Sequence, residues 1–510
     1  VARLFHALLA AIFAVAWLSL LAQVELLIGS HGLLPLRDFL AEARREGQLS
    51  LARFPTLLAL VPGADGPSDA VILAGPIVGL GLALGGLLGV WPRTGAALQT
   101  VLYLGYATAC RPFLSFQWDN LLLECGLLAT FLPTTRPARL AHVLFRVLVF
   151  KLYFESGLAK WQSPIHDWTD GTAMTFYYET APLPTALGWY AHHLPRAWHG
   201  FESRAVLAIE LVAPFAIFGP RRVRLGAAAL FTLFQSLNAA TANYGFFCPL
   251  AVALDVFLLD DRDLARAVAS LRRCGRSRAR WPLRLRATPS TAPPTAVADD
   301  AAAPPPPALP PAPAPPDLRR LALARRSLAG AGALAWCLLS LAEAAFTFAD
   351  LQPETVNRLI PVLELTQTLR MVNAYHLFAS VTQQRVEPEL QTSVDGIWTA
   401  HSLRFKPGDP RRRPPFVAPH QPRVDFLLWF YGLSYLRPDP PAYVSALVDR
   451  LCNEPSAVQS LFVDPLPAAP SAVRIAFFDF RFSSSAERRS TGIWWSRRPL
   501  GVTQPIACGR

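Results

Sequence analysis

Nine apolar runs of near-spanning length recur along this chain, at about 4–28, 70–90, 95–110, 117–133, 140–160, 205–219, 224–241, 244–260 and 328–349. A helix needs roughly 20 mostly apolar residues to cross a bilayer, and only helices or closed barrels do so without stranding backbone polar groups. The runs predict a polytopic α-helical membrane protein with about nine transmembrane helices. Composition agrees, since 52% of the 510 residues are hydrophobic, only 16% are charged and mean hydropathy is +0.29. The first run follows Arg3 and exceeds the ~7–15-residue apolar core of a signal peptide, so it reads as a retained helix.

A net charge of +12 on a soluble protein would suggest nucleic acid. Here the arginines lie between apolar runs, where they orient helices, so the expected partners are membrane lipids and no nucleic acid. A cytoplasmic N-terminus puts Arg93, Arg136, Arg139, Arg221, Arg222, Arg224 and the run Arg262–Arg326 on the cytoplasmic side. It places loops 29–69 and 161–204, and everything after about Phe348, outside. Arg37, Arg44, Arg45 and Arg53 run against this assignment, in the company of Asp38, Glu42 and Glu46.

Residues 287–317 are proline- and alanine-rich without periodicity, which makes a spacer and no packed core. The expected organisation is a multi-helix membrane domain over 1–286, that linker, a last transmembrane helix over 318–350 and an extracytoplasmic domain over 351–510. In the last, SVDGIWTAHSLRF and VRIAFFDFRF alternate as strands do, and helices are expected at Pro422–Tyr435 and Pro441–Cys452. The reading is a C-terminal α+β or mostly β soluble domain.

Only three lysines occur, Lys151, Lys160 and Lys406, and two of them fall in the stretch Lys151–Pro184. Lys151 and Glu155 stand four apart and can pair along one helix face. Asp119, Glu124 and Glu210 are the other carboxylates in apolar runs, where an unpaired charge is costly; with Lys151 and Glu155 they are read as internal polar pairs, Glu124 with a base such as Arg146 or Lys151. Lys160 ends its run, so it can snorkel to water or serve, desolvated, as a catalytic base. Beyond it, Trp168, Tyr177, Tyr178 and Glu179 are candidates for binding a partner, with Trp398, Arg411, His420 and Arg423 in the C-terminal domain. The run KPGDPRRRPP containing Lys406 reads as a solvated turn. His192–His193 lacks a third ligand at metal spacing, and the seven cysteines form no CxxC. No GxSxG elbow or P-loop occurs, so neither a lipase nor an ATP-driven machine is indicated, and no cofactor is implied.

Several blocks carry a resemblance: FQWDNLLLECGLLATFLP at 116–133, YYETAPLPTALGWYAHHLP at 177–195, IELVAPFAIFGPRR at 209–222, NYGFF at 243–247 and LLDD at 258–261. Beyond the linker come NAYHLFASVTQQR at 373–385, DGIWTAHSLRFKPGD at 395–409 and PHQPRVDFLLWF at 419–430. In this order they resemble the lipase maturation factor family. That resemblance implies a membrane protein that helps exported clients, lipases among them, to fold and assemble; animal members reside in the endoplasmic reticulum. The arginine-for-lysine bias and first-position Val point to a bacterium and its inner membrane. The stretch SGLAKWQSPIHDWTDGTAM, with Glu210 and QSLN at 235–238, is similar to the membrane core of the vitamin K-dependent γ-carboxylase, although Gln235 stands where that enzyme has histidine. This second likeness implies the alternative, a membrane enzyme with Lys160 as base.

Overall fold

The helices Ala2–Leu21, Asp69–Leu87 and Ala324–Phe348 are long and apolar enough to cross a membrane. The other apolar runs form helices that are shorter or carry charge, such as the 14-residue helix Gln117–Thr130 with Asp119 and Glu124. Nine crossings therefore do not follow from the helices themselves. These elements are seen in a computed structural model that describes residues 1–47, 49–61, 66–135, 137–278, 316–437 and 439–509. Nearly all of the 287–317 linker, and Arg136, lie outside the described residues.

Small residues set how closely the first helices approach. Gly75 and Gly79 in helix Asp69–Leu87 stand four apart on one face, and a Cβ on either would collide with the ring of Tyr106 or Trp17 respectively. Trp17, Tyr103 and Tyr106 then pack edge to face, with ring centroids 5.1 and 5.8 Å from Trp17. Without a hydrophobic force between helices in lipid, such close van der Waals packing is what holds them.

Contacts divide the chain into two units. One comprises Val1–Leu259 with Trp336–Arg510 and the other Asp260–Ala335. The smaller contains the helix Asp261–Arg278 and the start of helix Pro316–Phe348. The larger joins the N-terminal helices to a C-terminal sheet around one core, in which Phe5, Phe13, Tyr103 and Phe145 are buried together with Tyr375, Val386, Leu390 and Trp495.

The sheet has the order β2-β1-β3-β4, built from β1 (Arg385–Val394), β2 (Ile397–His401), β3 (Ala472–Phe482) and β4 (Trp495–Val502), with β5 (Ile506–Ala507) also on β3. All pairings are antiparallel. Asp395 and Gly396 both have positive φ, 51° and 81°, the backbone of a two-residue turn whose twist matches the β1–β2 hairpin. Helices Arg423–Leu433 and Ala442–Asn453 follow the expected apolar patterns.

Cys452, in the second of these helices, is disulfide-bonded to Cys508 across 56 residues. Replacing both with serine is expected to lower the stability of the C-terminal region by about 2–4 kcal/mol, because the cross-link restricts the unfolded chain. Non-reducing peptide mapping should recover the linked pair, and thermal unfolding of the double variant should show the loss.

Candidate functional site

Between helix Pro353–Leu369 and β1, the segment 371–384 has no regular hydrogen bonding, so its buried peptide groups need other partners. Side chains of the first half supply them. Glu155 accepts the Tyr375 N–H at 2.8 Å, Gln117 that of His376 at 2.9 Å and Asp167 that of Val381 at 2.7 Å. Lys160 donates to the Leu377 carbonyl at 2.7 Å and Trp168 to that of Phe378 at 3.1 Å. The block NAYHLFASVTQQR is thus a strap threaded among helices that are more than 200 residues away in sequence.

Ion pairs flank the strap. Lys160 Nζ lies 2.6 Å from Glu210 Oε2, with the two residues 2% and 5% exposed. Lys151 pairs with Glu124 at 2.9 Å and donates to Ser340, while the other Glu124 oxygen accepts Tyr375 Oη at 2.6 Å and Asn373 at 3.2 Å. Asp119 accepts both ends of the Arg423 guanidinium, at 2.6 and 2.8 Å, and the Tyr103 hydroxyl at 2.6 Å. Arg370 donates to the carbonyls of Leu114 and Ala107. Such charges are tolerated in a low-dielectric interior only when paired and hydrogen-bonded.

The same pattern continues into the sheet. Glu387 lies between Arg385, at 2.5 Å, and Lys406, at 2.9 Å. Arg385 also donates to the carbonyls of Glu179, Ala181 and Pro182, tying β1 to the 161–204 region. Burial pushes the Lys406 and Arg385 pKa values down, partly countered by Glu387. It pushes Asp425 up to about 6 against the pull of Lys406, and raises Glu179 despite the hydrogen bond from the Phe482 N–H. All three lysines of the chain, Lys151, Lys160 and Lys406, are therefore buried opposite a glutamate.

Several expected roles change in this light. Lys151 reaches across to Glu124, and Glu155 is spent on the strap, so the pair along one helix face gives way to pairs between segments. Lys160 is enclosed and does not snorkel to water. Lys406 leaves its turn for the interior, because the adjoining β1 carries Glu387 there. Trp168, Tyr177, Tyr178, Glu179 and Arg423 are buried against other parts of the chain, which removes them from any free binding surface. Tyr177 is bonded to Tyr244, Tyr178 to Glu202, and the Phe482 N–H to Glu179. His420 is half-buried and bonded to Ser19. Arg411 remains exposed, and Trp398 lies flat over the Arg474 guanidinium at 4.0 Å.

Sequence reasoning missed Arg370, Asn373, Tyr375, Arg385 and Glu387. The strap block was visible as a motif, but an irregular segment has no periodicity from which to read its partners. Among the described residues, no cluster of His, Cys, Asp and Glu could hold a metal ion. Chemically, the seam is a set of neutralised charges that fixes the C-terminal sheet to the helices; the Lys160 ammonium has both a carboxylate and a carbonyl on it.

Comparison with known proteins fits this two-part construction. The family model described as lipase maturation factor transmembrane domain matches residues 1–266, and that described as lipase maturation factor C-terminal domain matches residues 371–505. Lipase maturation factor 2 of Homo sapiens is 32% identical, over 88% of this chain and 74% of the human protein. Lipase maturation factor 1 of Homo sapiens is 28% identical over 98% and 86% respectively, and that of Bos taurus is 29% identical over 98% and 87%. No solved structure matches. These relatives are animal proteins and lend no support to a bacterial inner membrane. The first family match contains the helices that hold the strap and the second begins at the strap itself: the chain belongs to the lipase maturation factor family.

Proposed function

We propose that this protein is a membrane-bound maturation factor that helps exported proteins, lipases among them, to fold or assemble. The relatives' names support the client class, and the arginine distribution supports a cytoplasmic N-terminus. The Cys452–Cys508 disulfide supports an oxidising, extracytoplasmic compartment for the C-terminal domain. The observation that carries the mechanism is β2: it ends the sheet and is five residues long, with Ile397 72% exposed beside Trp398. An unpaired edge next to apolar surface suits transient capture of an extended client segment, whose backbone adds to the sheet while its side chains meet Trp398.

The test is rescue of secreted lipase activity in cells lacking their own maturation factors. The wild-type chain is expected to rescue, and the double variant Ile397→Asp, Trp398→Ala to lower the rescue several-fold at unchanged protein level. Failure of the wild-type chain with every lipase tried would remove lipases as clients. Full rescue by the double variant would remove β2 as the capture edge. Deleting the C-terminal domain is a poor test, because it would strip partners from Asp119, Glu124, Glu155 and Lys160 at once.

A further inference from the structure

Three arginines line a surface groove that the function above does not use. Helix Ala186–His192 is tied to the C-terminal end of helix Arg221–Thr241 by the Thr185 hydroxyl, which donates to the Ala240 carbonyl at 2.8 Å. Asn243 then holds the segment 415–418 alongside, donating to Pro415 and accepting from Val417 and Ala418. The result is two adjoining recesses of about 430 and 400 Å³. Leu187, Ala240, Arg413 and Phe416 line the first; Tyr190, Arg488, Arg489 and Trp494 line the second.

The arginines are held ready for an anion. The Arg488 guanidinium lies 3.7 Å from the Trp494 ring centroid and 4.6 Å from that of Trp189, and it spends one N–H on Tyr190 at 3.1 Å. Stacked in this way it is fixed in place while four of its five donors stay available. Arg413 approaches the same Trp494 at 5.8 Å. No carboxylate lines either recess, and among the described residues none of the three arginines is ion-paired.

The groove is continuous with an apolar face. Val223, Leu230, Leu233 and Leu237 are exposed on helix Arg221–Thr241 at spacings of seven, three and four, which places them in one stripe. The stripe runs ~21 Å along the axis and ends one turn short of Ala240 in the groove floor. An acidic peptide would fill the groove and leave the stripe bare. A phospholipid covers both.

We propose that this groove binds the phosphate headgroup of an anionic phospholipid, whose acyl chains lie along the exposed stripe of helix Arg221–Thr241. The inference rests on the membrane reading and on no particular client. Its test uses the full-length protein in nanodiscs of equal phosphatidylglycerol and phosphatidylcholine, with co-retained lipid counted by native mass spectrometry. Phosphatidylglycerol is expected to be retained preferentially. Arg413→Gln and Arg489→Gln, both at exposed positions, should each lower that retention about fivefold. Leu233→Gln with Leu237→Gln should lower it without touching a charge. Equal retention by the wild type and the arginine variants overturns the proposal. So does displacement of the lipid by polyglutamate with no effect of the leucine changes, which would assign the groove to an acidic polypeptide. Inorganic phosphate that binds as well as the lipid also overturns it, because the stripe would then contribute nothing. None of these readouts depends on lipase activity, so failure here and failure of the maturation reading are separable.

Discussion

Replacing Arg423 with methionine is expected to destabilise the larger unit by about 3–5 kcal/mol, the usual loss when one member of a buried pair is removed. Asp119 is fully buried, and its two oxygens accept both guanidinium nitrogens at 2.6 and 2.8 Å. Without Arg423 the carboxylate keeps only the Tyr103 hydroxyl and stays in a low-dielectric setting as an uncompensated charge. Cys110 reports on the loss directly, since it is buried, outside any disulfide and three residues from Phe113, whose carbonyl accepts from Arg423. If opening is governed by global stability, maleimide labelling of Cys110 should accelerate roughly 10²–10⁴-fold. Adding Asp119→Asn removes the stranded charge while keeping an acceptor for Tyr103, so the double variant should recover most of the loss. Labelling that stays at the wild-type rate in Arg423→Met would mean the pair does not hold the sheet to the helices.

The sequence made some of this legible and hid the rest, for physical reasons. The strands could be read because alternation in VRIAFFDFRF is a local signal, but SVDGIWTAHSLRF, read as one stretch, is split by the Asp395–Gly396 turn into two paired strands. That the membrane carboxylates would find bases was also a local argument from desolvation cost. Which bases they find is only partly local: Glu124 meets Lys151, one of the two bases named for it, across 27 residues, whereas Arg423 meets Asp119 across 304. Nothing in a helix period encodes the second distance. The aromatic and acidic residues at 168–179 were attractive as a recognition surface because composition does not distinguish an exposed interface from an internal one. They prove to face the chain itself: Trp168 meets the strap, Tyr177 meets Tyr244, Tyr178 meets Glu202, and Glu179 meets β1 and β3 through Arg385 and Phe482. The number of spans was the least accessible feature, since apolar runs that pack on protein look like runs that face lipid.

Lys160→Met is expected to have the largest effect on function, and its rescue decides between two readings of this lysine. The substitution strands Glu210, 5% exposed, and removes the donor from the Leu377 carbonyl in the strap. Both effects act on the same seam, so a loss of about 3–5 kcal/mol follows, and the strap should become susceptible to protease near 377. Client maturation should fall with it. That fall alone says nothing about chemistry, because an enzyme deprived of its base and a scaffold deprived of its clamp look the same in an activity assay. The double variant Lys160→Met, Glu210→Met separates them. Two unbranched apolar side chains of similar volume remove the charge and its partner together, and replacing a buried pair in this way is often neutral or stabilising. If protease resistance and maturation both return, the ammonium was needed only to neutralise the buried Glu210, and neither its bond to Leu377 nor any chemistry of the amine is required. If the fold returns and maturation does not, the amine itself takes part in the reaction, and a membrane enzyme with Lys160 as its base replaces the maturation scaffold.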